Sequence, residues 1–191
     1  MIYVGIDPGK KGGWAALDPK HMQVFDWLAA DCPEHGYILG KGYRGHHAYW
    51  TERMVSSLQD VVRKAAEEGE PIMAIIEQQR THPKEGRVSA VTTGYGFGLW
   101  SGILSGLEIP WASVTGSTWV KSVLKDAPGS GKDRSISFVS RMFPTFAKDG
   151  LMLKRRRKPH DGLADSVCLA LYGSTRYSGT KPLSMSDLRS G

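Results

Sequence analysis

Residues 2–7 (IYVGID) are apolar or small until the last, which is an acid. A run of this kind, with no alternation and with Pro8 and Gly9 behind it, predicts a strand buried on both faces. GGWAALD (12–18) and HMQVFDW (21–27) read as two further strands, with a turn at Asp18, Pro19 and Lys20, so the first three strands form an antiparallel meander. Residues 31–46 are rich in Gly, His and Tyr and read as loop. From 49 to 68, Trp50, Met54, Leu58, Val61, Val62 and Ala65 keep a helical period that Gly69, Glu70 and Pro71 end. IMAIIE (72–77) is a second apolar strand closing on an acid, Glu77. A long helical pattern follows over 86–106, with Gly94, Gly96, Gly98 and Gly102 inside it. WASVT (111–115) is a short strand, then come helices near 117–125 and 132–143 with DAPGSG between them. Residues 160–173 form a last helix, and the polar segment 174–191 reads as a flexible tail.

The order is βββαβαβααα. A meander followed by βαβ crossovers predicts an α/β fold, a mixed five-stranded sheet flanked by helices, in one domain over 1–173. A right-handed crossover sets the first strand and IMAIIE parallel and side by side. Asp7 and Glu77 then end neighbouring strands at one edge of the sheet, where sites form.

That placement raises a chemical question. Two carboxylates a few ångströms apart repel, and both stay ionised only with positive charge between them. The last helix carries Asp161 and Asp165 four residues apart, on one helical face, while Leu163, Val167, Leu169, Ala170 and Leu171 give it an apolar side for the sheet. Asp7, Glu77, Asp161 and Asp165 together make an all-oxygen set suited to Mg²⁺ or Mn²⁺. Two such ions about 4 Å apart activate a water and stabilise the leaving oxygen in phosphodiester hydrolysis. Plainer readings stand beside this one. Asp7 before Pro8 and Gly9 is also a turn former, Glu77 alone is also a solvated residue, and Asp161 is also a helix cap with His160 its solvated neighbour. Asp165 resists such a reading, because a charge flanked by Leu163, Ala164 and Val167 needs a partner.

Composition narrows the partner. The formal charge is +6, with 25 Lys and Arg against 19 Asp and Glu among 191 residues, so an anionic partner fits. Lys154, Arg155, Arg156, Arg157 and Lys158 stand side by side just before the last helix. No apolar run is long enough to cross a membrane, so no membrane partner is expected. Two cysteines, Cys32 and Cys168, are too few for a disulfide framework or a four-ligand zinc site, and a reducing cytoplasm is the simplest reading.

The motifs, taken in order, resemble a family. IDPGKKGGWAALD, AIIEQQ, SVTGSTWVKSVL and HDGLADSVCLAL are similar to the motifs of RuvC-like Holliday junction resolvases, of the ribonuclease H-like or retroviral integrase-like superfamily, and most of all to those carried by bacteriophages. The resemblance spans about residues 1–173. It implies a ribonuclease H-like fold, two Mg²⁺ per active site with Mn²⁺ as substitute, and a homodimer that cuts branched DNA symmetrically. It implies the cytoplasm of a bacterial host if the chain is phage-encoded. It carries metal ligation to Asp7, Glu77 and Asp165. Relatives place His or Asp three residues before the last acid, which here is Gly162, or Asp four before, which is Asp161. The fourth ligand therefore lies between Asp161 and His160, and Asp161 is favoured because it shares a face with Asp165.

Charge and position nominate DNA contacts at Lys10, Lys11, Lys84, Arg87 and Lys121, and at Lys154, Arg155, Arg156, Arg157 and Lys158. The glycine-spaced helix exposes small residues that allow close helix approach; the resemblance implies that it helps form a dimer or an entry into the junction, and the plainer reading is core packing of Phe97 and Trp100. Other functions fit parts of the chain. An actin-like ATPase or sugar kinase shares the GIDPGKKGG start but needs a second lobe. A P-loop at APGSGKDRS lacks its leading glycine, since Asp126 stands there. A ribonuclease H acting on RNA–DNA hybrids shares the acids, whereas a non-catalytic junction binder has no use for them.

Overall fold

The computed structural model describes residues 1–30, 39–41, 47–49, 51–79, 86–153 and 157–178. Strands β1 (Ile2–Asp7), β2 (Gly13–Asp18) and β3 (Gln23–Ala29) form the meander. Two three-residue strands follow, β4 (Leu39–Lys41) and β5 (His47–Tyr49), paired antiparallel as a separate sheet. Helix α1 (Thr51–Glu67) then leads to β6 (Ile72–Gln78). Helix α2 (Arg87–Gly106), strand β7 (Trp111–Thr115), α3 (Gly116–Val123) and α4 (Lys132–Met142) come next. A three-residue α5 (Pro144–Phe146), a π-helical turn (Ala147–Leu151) and α6 (Asp161–Tyr177) complete the described chain.

The main sheet runs β3-β2-β1-β6-β7, with β1, β6 and β7 parallel and the meander antiparallel. This is the expected mixed five-stranded sheet. Both of its faces are covered, which is why β1 and β6 carry no polar alternation. Ile2, Val4, Ile6, Ala74 and Ile76 pack with Met54, Leu58 and Val61 of α1 and with Trp100 and Leu104 of α2. Tyr3, Met73 and Ile75 face the other way, against Leu163, Val167 and Ala170 of α6. Helix α6 comes so near β1 that a Cβ on Gly5 would stand 1.9 Å from the Ser166 carbonyl oxygen. Any side chain at position 5 would drive the helix off the sheet.

Three expectations change. Part of the expected loop at 31–46 is strand, since β4 falls within it; three-residue strands are too short to show a period, and the rest of that segment lies outside the described residues. The helices end in a way the pattern did not reveal, with α5 and the π-turn added after α4. Finally, α6 runs to Tyr177, four residues beyond 173. Ser174 and Thr175 look like tail residues but donate their hydroxyl protons to Leu171 O at 2.9 Å and Tyr172 O at 3.0 Å, so their polarity is absorbed within the helix. Residues 179–191 lie outside the described residues. Among the described residues no helix is long and apolar enough to cross a membrane.

Candidate active site

The register of the parallel pair decides where the acids go. Ile6 pairs with Ile76, so the next residues, Asp7 and Glu77, fall side by side at one edge of the sheet. Glu77 is the penultimate residue of β6 rather than the last, because Gln78 still pairs with Thr115 of β7. Helix α6 packs on β1 and β6 and brings Asp165 to this edge, close enough to act on Glu77.

The turn behind Asp7 is shaped by that carboxylate. Gly9 N–H donates to Asp7 Oδ1 at 2.9 Å, so the acid does make the turn that the sequence allowed. Yet three glycines crowd the same side chain. A Cβ would stand 3.1 Å from Asp7 Oδ1 at Gly9, 2.6 Å from its Cγ at Gly12 and 3.0 Å from its Oδ2 at Gly162. Gly162 also lies where a Cβ would meet the Lys11 carbonyl oxygen at 2.3 Å. The position three before Asp165 is therefore filled by the β1–β2 turn, and no His or Asp fits there without moving it. Ser166, fully buried, ties these parts together. Its Oγ accepts from Asp7 N–H at 3.4 Å and lies 3.0 Å from Gly13 O and 2.8 Å from Gly162 O, donating to one or the other.

Glu77 sits in a different setting. Burial pushes its carboxyl up to about 7, the charge of Asp7 adds to this, the Trp119 hydrogen bond works against it, and Asp165 raises it further. The indole Nε1–H of Trp119 donates to Glu77 Oε1 at 3.4 Å. Asp7 of β1 and Asp165 of α6 thus both act on Glu77 of β6. Among the described residues no three acidic, His or Cys side chains stand close enough to ligate one ion as placed. The donor chemistry fits a hard divalent cation: three carboxylates, one of which holds a proton near neutrality through burial and the charge of its neighbours.

His160, read as a candidate fourth ligand or else as a solvated neighbour of the helix cap, is not solvated. It is fully buried and is the N-cap of α6, its Nδ1 accepting from Leu163 N–H at 3.1 Å. Asp161, expected as the possible cap, is the first helical residue instead. It opens on a cavity of about 660 Å³ whose lining includes Lys11, Arg157 and Lys158. Asp165 lines a second cavity of about 300 Å³ with Trp119, Leu124, Arg134 and Ser135. The first turns of α4 line both, so the helical face shared by Asp161 and Asp165 opens into two spaces.

Of the basic candidates, Lys11, Arg157 and Lys158 are exposed and meet at the larger cavity, although Lys11 is far from the other two in sequence. Lys121 is exposed on α3, and Lys10 lies on the β1–β2 turn. Arg87 opens α2, while Lys84, Lys154, Arg155 and Arg156 lie outside the described residues. Sequence reasoning did not single out Trp119, Arg134 or Ser166. Arg134 donates from Nε to Ala127 O at 3.0 Å and from Nη2 to Leu124 O, closing the 124–131 segment over the smaller cavity. Its one signal was an arginine just inside a helix that follows a Gly-rich loop.

No family model matches the sequence, and no curated protein matches it. Among solved structures, the chain is similar to RuvC of Thermus thermophilus in complex with a Holliday junction substrate, at TM-score 0.55 and 18% identity over 96% of this chain and 99% of that one. It is similar to a second structure of Thermus thermophilus RuvC at TM-score 0.52 and 19% identity, over 96% and 100% of the two chains. The yeast mitochondrial Holliday junction resolvase Ydc2 matches at TM-score 0.45 and 16% identity, over 88% and 75%. The two RuvC likenesses show that this chain has the RuvC fold.

Proposed function

We propose that the chain is a metal-dependent endonuclease that resolves four-way or branched DNA as a homodimer, of the bacteriophage kind on its motif likeness. The observation that carries the reading is the Asp7–Glu77 pair, adjacent in register on parallel strands, with Asp165 near enough to help raise Glu77. That set sits in a fold shared with a protein solved on a Holliday junction. Asp7, Glu77 and Asp165 would hold two divalent cations, with Asp161 as fourth ligand in preference to the buried His160, whose Nδ1 already caps α6. In such a site Mg²⁺ or Mn²⁺ supplies activation of a water and stabilisation of the leaving oxygen. The chain's own residues do the rest. Gly9 N–H fixes Asp7, Trp119 N–H fixes Glu77, and Lys11, Arg157 and Lys158 gather at the cavity beside Asp161, where a phosphate backbone is neutralised.

A four-way junction is close to two-fold symmetric, so paired cuts need two sites related by a dyad. Helix α2 supplies a face for this. Trp100 and Leu104 are buried in the core and Phe97 packs edge-on against Trp111 at 6.4 Å, which is the core packing that the sequence allowed. On another face Gly94, Gly98, Gly102 and Gly106 recur every fourth residue, with nothing within 4 Å of where a Cβ would be. Val91 and Tyr95 beside them are exposed. Sedimentation should give a dimer, and Gly98→Leu should weaken it; a monomer both free and on junction DNA would refute this part. The decisive assay sets a synthetic four-way junction beside linear duplex and an RNA–DNA hybrid, with and without Mg²⁺. Metal-dependent, paired cuts in the junction alone support the reading. Cleavage of the hybrid alone makes the protein a ribonuclease H, and cleavage in excess EDTA ends the metal mechanism.

A further inference from the structure

Helix α3 starts directly from β7, and Val114 of that strand pairs with Glu77, so the first turn of α3 stands over the Glu77 side chain. Two of its residues, three apart and hence on one face, address the same oxygen. Trp119, 4% exposed, donates its indole N–H to Glu77 Oε1 at 3.4 Å. At Gly116 a Cβ would stand 2.5 Å from Oε1, so that position must be bare for the carboxylate to lie where it does. Oε2 accepts no hydrogen bond among the described residues. We propose that Trp119 is a positioning residue for Glu77, and that with the gap at Gly116 it holds Oε1 so that Oε2 is presented to a divalent cation shared with Asp7 and Asp165. This rests on the metal-nuclease reading above and deepens it.

The physical need is specific. Asp7 and Asp165 repel Glu77, and an unrestrained glutamate, with its three rotatable bonds, would turn away from them. A buried indole has little freedom of its own, and its N–H only donates, so it favours the ionised carboxylate at every pH. Donors behind metal-binding carboxylates change metal affinity by about 10–100-fold when removed.

The test is calorimetric titration of Mn²⁺ into the full-length protein, paired with junction binding in EDTA and cleavage across a Mn²⁺ series. Trp119→Phe keeps a buried ring and removes the donor. Mn²⁺ affinity should fall about tenfold, and the Mn²⁺ midpoint for cleavage should rise by the same factor. The rate at saturating Mn²⁺ should largely recover, while junction affinity in EDTA stays unchanged, which a general structural defect would not reproduce. Should the Phe variant fail to fold, Gly116→Ala tests the same oxygen and should move metal affinity in the same direction. Unchanged Mn²⁺ affinity in the folded variants, with wild type binding Mn²⁺ and Asp7→Asn losing it, overturns the role of Trp119 and leaves the nuclease reading intact. Wild type that binds no Mn²⁺ overturns both.

Discussion

Asp7 and Glu77 occupy matching ends of adjacent parallel strands, yet the protein supports them by opposite means. Asp7 is wedged among backbone: a main-chain N–H on Oδ1, three glycines whose bare Cα positions leave it room, and a serine on its own amide. Glu77 is surrounded by burial and by like charge, with one indole N–H to oppose them. The first acid is fixed by the path of the chain. The second is left with a carboxyl near neutrality, to be settled by a positive charge from outside. The cation site proposed above would use both kinds of support.

The largest effect should come from the fixed member. Asp7→Asn keeps the turn and the basic surface but removes a charged ligand of the proposed metal site, so junction cleavage should drop about a thousandfold or more while junction binding survives. Gel-shift and cleavage on the same preparation check this; normal cutting would reduce the opening motif to a turn. Next comes the wedge itself. Gly162→Ala places a Cβ against the Lys11 carbonyl and the Asp7 carboxylate, and overpacking of this kind costs about 1–3 kcal/mol. Thermal unfolding should show a clearly lower Tm, and an unchanged Tm would mean the β1–β2 turn gives way freely.

The comparison also predicts a pH effect from Glu77. Its folded-state carboxyl lies near 7, above the usual 4.5, so between those values the folded chain holds a proton that the unfolded chain releases. Stability from this source is fully present below about 4.5 and is lost as pH rises through 7. In chelator, Tm should fall from about pH 5 to about pH 8, and Glu77→Gln should flatten that part of the curve. Added Mn²⁺ should reverse the trend, because metal and proton compete for the same oxygens. The smallest effect is electrostatic. Changing Lys11, Arg157 and Lys158 together to Gln should weaken junction binding and lower the log–log salt slope by about 0.9 for each phosphate no longer neutralised. An unchanged slope would place the grip elsewhere, at Lys10 or Lys121.

How much of this was legible from residue order depends on where each signal resides. The meander, the crossover that sets β1 beside β6 and the placing of Asp7 next to Glu77 were legible because buried strands and helical periods are local patterns, and handedness does the rest. Asp161 and Asp165 were legible as neighbours on a helix, but their division between two cavities depends on how α4 packs, which no spacing encodes. His160 looked solvated because a cap is recognised by its Asp, Asn, Ser or Thr identity, and a histidine using Nδ1 for that purpose carries no such mark. The part played by Gly162 was hidden for a related reason. A glycine inside a helix signals weakness on its face, and only the approach of the β1–β2 turn makes it a point of close packing. Trp119 carried no mark beyond that of a core tryptophan, and its one polar atom shows its aim only once β6 and α3 are side by side.

The glycine row on α2 has a consequence for how the molecule breathes. Each interior helical glycine costs about 1 kcal/mol of intrinsic helix stability relative to alanine, so Gly94, Gly98 and Gly102 leave α2 unable to persist by its own propensity. It is a helix because Trp100, Ile103 and Leu104 are held by the sheet. Its N-terminal half, which contributes fewer side chains to that core among the described residues, should therefore exchange its amide hydrogens well before the C-terminal half. Occupation of the glycine face by a partner would slow that exchange selectively, giving a residue-by-residue record of assembly that needs no DNA and no catalysis.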